Sequence, residues 1–158
     1  MEGRLRAPRA LRWLMAWLPV LCWATLIFSL STDEFSAENT GRFIRPIAFW
    51  LIPHLTEAGF TTLHYFVRKT AHFTEYFVFC LLLYRGVRSG RSGWRWTWAL
   101  TAFFIAAGYS ALDEIHQAFV ASRTASPYDS MLDSTGACFA MVVLWTWFQR
   151  KRTGMKTR

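Results

Sequence analysis

Long apolar runs alternate along the chain with short clusters of charge. Trp13 to Leu30 carries no charged residue over eighteen positions. At 1.5 Å per helical residue that run covers about 27 Å, close to the hydrocarbon thickness of a bilayer. Further apolar stretches lie at Tyr76 to Tyr84, Trp96 to Leu112 and Ser134 to Gln149. The pattern predicts spans over about 13–31, 66–87, 95–115 and 131–149. The later runs are short for a bilayer, so their polar ends must sit at headgroup level or face protein. Between the first and second spans, Phe43 to Ile52 is apolar apart from Arg45, too short to cross, and interrupted by Pro46. It predicts an interfacial helix with its apolar face at the headgroup boundary. The expected fold class is all-α: a membrane bundle of four transmembrane helices, with an interfacial helix in the first outer loop.

Arg4, Arg6, Arg9 and Arg12 precede the first run, as they would in a signal peptide. The run is longer than a typical signal-peptide core, and Ser31-Thr32-Asp33-Glu34-Phe35 lacks a small-x-small cleavage pattern, so it reads as a retained span. Pro19 within it loosens one turn, which a membrane helix tolerates.

Charge supplies the orientation. The 158 residues suit one domain: a basic N-terminus (1–12), a membrane domain (13–149) and a basic, mobile tail (150–158). The net charge of +8 would raise nucleic acid as a partner in a soluble protein. Here the cations cluster between apolar runs and no nucleic acid is expected. The segments before span one, between spans two and three, and after span four hold 13 of the 18 basic residues and one acid, Glu2. The remaining segments sum to −4. The positive-inside rule then places both termini in the cytoplasm of a multi-pass protein of the cell membrane. Nine Trp suit headgroup-level rings. Cys22, Cys80 and Cys138 fall singly in apolar runs and form no disulfide framework.

Three segments carry candidate chemistry, all at the outer ends of their spans. In the first, Arg68, His72 and Glu75 fall at i, i+4 and i+7 on one helix face, and Lys69 reads as an interfacial snorkelling residue. In the second, Asp113, His116 and Gln117 follow Tyr109, with Glu114 beside them. The third runs from Arg123 through Asp129 and Asp133 to Gly136. Ionisable groups at this depth are costly when they face lipid, so they should face one another. The cluster holds two negative charges in excess with His neutral. That excess calls for protons on histidine, a raised carboxyl pKa or an external cation. No cofactor is required. The alternative is a metal ion held by His72, Glu75, Asp113 and His116, a ligand set that suits zinc. Ser110, Ser122 and Ser126 lie in no G-x-S-x-G elbow, and no P-loop or dinucleotide fingerprint is present. Gly108 and Gly136 read as close-packing points between helices.

The charged segments, Arg68-Lys69-x-x-His72-Phe73-x-Glu75-Tyr76 and Asp113-Glu114-x-x-Gln117-x-Phe119-Val120-x-x-Arg123-x-x-Ser126-x-x-Asp129, then Gly136, resemble the VanZ-like family over roughly residues 25–148. The resemblance implies a small multi-pass bacterial membrane protein. The family's namesake is associated with low-level resistance to the glycopeptide teicoplanin. Ala121-Ser122 stands where family members usually carry Pro-Gly, and Asp133 where an Asn is common, which adds a negative charge to the cluster.

The function expected is an envelope protein whose outer-face site binds a lipid-linked or cell-wall-related anion, or a glycopeptide. Its anion contacts would be Arg68 and Arg123, oriented by Glu75, Asp113 and Glu114. The rivals are a membrane-surface enzyme with His72 or His116 as base or metal ligand, and an ion- or proton-coupled transporter. Four spans are few for a transporter monomer, so that last reading needs an oligomer.

Overall fold

The computed structural model describes residues 8–120 and 125–154. Among them are five helices: α1 (Arg9–Leu30), α2 (Ala37–Leu51), α3 (Glu57–Arg88), α4 (Trp96–Ala118) and α5 (Pro127–Gly154). A short 3-10 turn, Asp33–Phe35, joins α1 to α2, and no strand occurs among the described residues.

Local chemistry sets the ends. Ser36 caps α2 by accepting from the Asn39 N–H at 3.3 Å, and Thr56 caps α3 by accepting from Gly59 at 3.1 Å. Glu38 and Glu57 occupy the first turns, where the helix dipole favours a negative charge. At its C-terminus α3 carries Arg85 and Arg88 and stops at Ser89, whose backbone is left-handed (φ 51°, ψ 46°). Pro127 opens α5, where its missing N–H costs nothing.

Two sequence expectations change here, for α3 and α5, and the helix expected around Phe43–Ile52 is present and longer. α3 begins nine residues before the expected second span, because the cap at Thr56, rather than the onset of apolar residues, starts the helix. α2 continues through Pro46 and exposes Phe43, Ile47, Trp50 and Leu51 along one face. α5 stays helical to Gly154, so the basic tail from Arg150 is not a loose end over that stretch.

α3 is the central element, packing most extensively on α5 and also on α4 and α1. A ladder of contacts shows that α3 and α5 run parallel: Lys69 meets Asp129, His72 meets Asp133, Phe73 meets Gly136, and Tyr84 meets Phe148. α1 and α4 run the other way. Trp17 sits beside Gly86 while Trp23 donates to the Glu75 carbonyl at 3.0 Å, and the Tyr109 ring packs on Phe79. Between the helices lie Tyr76, Phe79, Cys80 and Leu83 of α3, with Ala99, Ala102 and Ala106 of α4 and Ala137 and Ala140 of α5. Small residues on α4 and α5 let their backbones approach α3 closely.

Pro19 lies inside α1 and has no N–H for the Met15 carbonyl. The Arg85 guanidinium donates to that carbonyl at 3.1 Å, so a basic residue of α3 satisfies the group that proline leaves open.

α1 and α5 are long and apolar enough to cross a membrane. α4 exposes Phe104, Leu112 and Ile115, α1 exposes Trp13, Leu18 and Leu21, and α5 exposes Phe139, Val142 and Trp147. An apolar surface this extensive is not what a water-soluble monomer presents.

Gly136 and Gly108 differ. A Cβ on Gly136 would lie 2.3 Å from the Phe73 carbonyl oxygen, whereas one on Gly108 meets nothing within 4 Å. Gly136 is a packing point, and the expectation for Gly108 is corrected: it faces outward. Gly136→Ala is therefore expected to cost about 1–3 kcal/mol of stability, read as early thermal unfolding in detergent. Gly108→Ala should melt like the wild type or slightly later, since alanine favours helix.

Candidate functional site

The three charged segments meet at one end of the bundle, but their partners lie across helices more often than along them. His72 does not pair with Glu75. Its Nδ1 lies 3.4 Å from Asp133 Oδ1, and Asp133 is fully buried. The other carboxylate oxygen of Asp133 accepts from Ser110 Oγ at 2.8 Å, and Ser110 is 3.1 Å from the Ser130 hydroxyl. One hydroxyl has one proton, so Ser110 donates to Asp133 and accepts from Ser130. α3, α4 and α5 are thus joined through a single carboxylate. Tyr76 is also fully buried, and its hydroxyl has no hydrogen-bond partner among the described residues.

Asp113 pairs with Gln117 (2.9 Å) instead of His116, and Gln117 reaches Ser31 at the end of α1 (3.4 Å). The i+4 amide outcompetes the i+3 imidazole for the carboxylate. His116 turns toward α1, its ring 4.6 Å from that of Phe28, and its Nδ1 has no hydrogen-bond partner among the described residues. Glu114 uses one oxygen to accept from the Ser126 N–H at 2.8 Å, which fixes the entry to α5; the other has no such partner.

The cations are also rearranged. Arg68 donates to the Phe35 carbonyl at 3.1 Å and approaches Thr40 at 3.5 Å, so it pins the connection between α1 and α2 onto α3. It lines a cavity of 160 Å³ with His72, Glu75, Thr40 and Ser31. Arg123, with Ala121 and Ser122, lies outside the described residues. Lys69 is not a free snorkelling residue: it forms an ion pair with Asp129, sixty positions away, and lies 5.2 Å from the Tyr65 ring. Sequence spacing gave no signal for that pair, nor for Ser110, Ser31 and Thr40.

The Lys69–Asp129 pair opens onto a groove of 710 Å³ between α3 and α5. Tyr65, Phe66, Phe73, Tyr128 and Leu132 form its apolar walls, and Lys69, Asp129, Thr70 and Ser126 its polar end.

Two chemistries are limited by this geometry. Among the described residues no group of three or more His, Cys, Asp or Glu side chains is arranged to hold a metal ion, and His116 points away from His72 and Glu75. The four-residue metal set raised as the alternative reading is not assembled among them. Ser110 is fully buried and gives its proton to a carboxylate and not to an imidazole, so no Ser–His nucleophile pair is assembled around it.

Outside the expected spans, His64 is buried against α2, its Nε2 3.2 Å from Thr40 Oγ1, with its ring stacked on Phe60. Burial and the nearby Arg68 guanidinium hold its pKa below the usual value of 6.5. A proton is then harder to add in the folded than in the unfolded state, so docking of α2 should weaken as pH falls below about 6.5. Hydrogen exchange of α2 amides, corrected for intrinsic rate, should accelerate there and lose that dependence in His64→Gln. Within the bundle, Asp133→Ala strands Ser110 and His72 and should lower stability by about 1–3 kcal/mol. Asp133→Asn keeps an oxygen for Ser110 and should cost less, both measured by thermal unfolding in micelles.

No curated protein and no solved structure matches the chain. A family pattern does, over residues 16–149, which takes in most of α1, the connection from α1 to α3, all of α3 and α4 and most of α5. With most of its length matched, the chain belongs to the VanZ/LLP1 family.

Proposed function

We propose that the chain is a four-span protein of the cytoplasmic membrane, termini inside, that binds an anionic lipid-linked ligand of the cell envelope at its outer end. The groove between α3 and α5 carries this reading. Its aromatic and aliphatic walls suit a hydrocarbon chain entering from the side, and Lys69 at its polar end suits a phosphate or carboxylate. Lys69 has three N–H donors, and Asp129 occupies only part of that capacity. Phe73 of the groove wall follows His72 on α3, whose partner Asp133 ties three helices together.

Four spans rest on length and on the outward apolar faces. α3 has 32 residues and α4 has 23, about 48 and 34 Å of helix, enough to cross alongside α1 and α5. The polar outer turns of α3 and α4 face protein, as bilayer depth requires.

A second reading, an acid–base enzyme without a metal, draws on the His72–Asp133 pair beside the 160 Å³ cavity. It predicts release of a product from the bound lipid, where the binding reading predicts none.

Titration of the purified protein with a fluorescent polyprenyl diphosphate should show saturable binding that Lys69→Gln weakens about tenfold, the worth of a charged hydrogen bond. Unchanged affinity in Lys69→Gln rejects the groove. Competition by teicoplanin would make the glycopeptide a ligand of the same site, and no competition would separate the site from resistance. For orientation, a cysteine introduced at Ser126 should react with an impermeant reagent added outside cells and one at Ser89 should not; the reverse pattern overturns the topology.

A further inference from the structure

The end of the bundle away from the polar network carries a second kind of site. A cavity of 500 Å³ lies between the start of α1 and the end of α3, lined by Arg12, Arg85, Arg88 and Arg91 with Met15 and Ser89. No carboxylate lines it, and none of the four guanidinium groups is in an ion pair among the described residues. Like charges gathered without a counter-charge repel, by about 1 kcal/mol per pair at 4 Å in water and more where solvent is thinned.

Three of these arginines, Arg85, Arg88 and Arg91, are held by neighbouring groups, while Arg12 is exposed. Arg85 donates to the Met15 carbonyl that Pro19 leaves open. Arg91 donates to the carbonyls of Val87 and Arg88 at 3.0 Å and lies 4.8 Å from the Trp98 ring. Arg88 lies 5.7 Å from the Phe148 ring, its Nε buried and without a hydrogen-bond partner among the described residues. A second hollow of 420 Å³, lined by Ala10, Arg12, Trp13 and Ser89, adjoins the first. The exposed Trp13 and Met15 give that side an apolar border.

We propose that this cavity binds the phosphate of an anionic phospholipid headgroup, in the leaflet that holds the basic helix ends. Guanidinium groups match phosphate oxygens in paired hydrogen bonds, and four of them around one cavity supply both the charge and the donors. The lipid's chains would run along Trp13 and Met15. The headgroup supplies the counter-charge that the protein's own residues do not. The site is independent of the outer groove.

Native mass spectrometry of the full chain in neutral detergent, titrated with phosphatidylglycerol and with phosphatidylcholine, tests it. Phosphatidylglycerol should bind tighter. Arg12→Gln with Arg88→Gln, two side chains with no hydrogen bond to a backbone carbonyl among the described residues, should weaken it about tenfold or more. Arg150→Gln with Arg152→Gln, exposed charges on α5 outside the cavity, should leave it unchanged. If the first pair melts early, the exposed Arg12→Gln alone carries the comparison, with a loss of about threefold. Displacement by millimolar inorganic phosphate would mean that the anion alone suffices, and retention that the lipid's glycerol and chains contribute; the site stands in both cases. Equal binding of the two lipids, or equal loss from the α5 pair, overturns the proposal.

Discussion

The contact between Gly136 and the Phe73 carbonyl sets the distance between α3 and α5, and that distance decides which polar groups meet. A side chain at position 136 would hold the helices apart. Because they run parallel and close, the turns outward of the contact stay in register, with His72 opposite Asp133 and Lys69 opposite Asp129. Inward of it the same register stacks Tyr84 against Phe148. One missing Cβ thus aligns a polar half and an aromatic half of a single interface.

Below that contact the bundle can be apolar throughout, and α4 contributes Ala99, Ala102 and Ala106, fully buried, so that bulk is carried by α3. Above it, each polar group needs a protein partner, because lipid offers none. Asp133 shows how far this goes. It is fully buried and takes Ser110 from α4 and His72 from α3. Leaving out either neighbour would strand a carboxylate in the bundle, which is far more costly than the pair is stabilising. Polar pairing, not apolar burial, is what makes this end of the bundle specific.

Much of this was legible in the sequence. The apolar runs marked all four long helices, the interfacial segment proved helical, and the charged residues did collect at one end. What could not be read was partnership. Spacing along one helix pointed His72 to Glu75 and Asp113 to His116, yet the partners are Asp133 and Gln117. The first depends on how α5 lies against α3, which no local pattern encodes, and the second on which of two adjacent residues also reaches Ser31 on α1. Lys69 looked like a headgroup anchor because its counter-charge lies sixty residues on. Helix ends failed for a different reason. Thr56 and Ser36 start helices by capping, before the apolar residues begin, so a hydropathy reading enters each helix late.

The same constraint explains why the two ends of the molecule differ in kind. At the end that carries the polar network acids and bases are both present, and the protein pairs them internally, Lys69 with Asp129 and His72 with Asp133. At the opposite end no acid occurs among the described residues, as the sorting of charge along the sequence leads one to expect. Arginines there are satisfied by backbone carbonyls and aromatic rings, as with Arg85 on Met15 and Arg91 on Trp98. Those contacts fix the geometry of the guanidinium groups but leave their charge uncompensated. A single sequence feature, the sorting of charge between the two sides, therefore yields a polar core paired largely within the protein at one end and a basic, anion-seeking surface at the other.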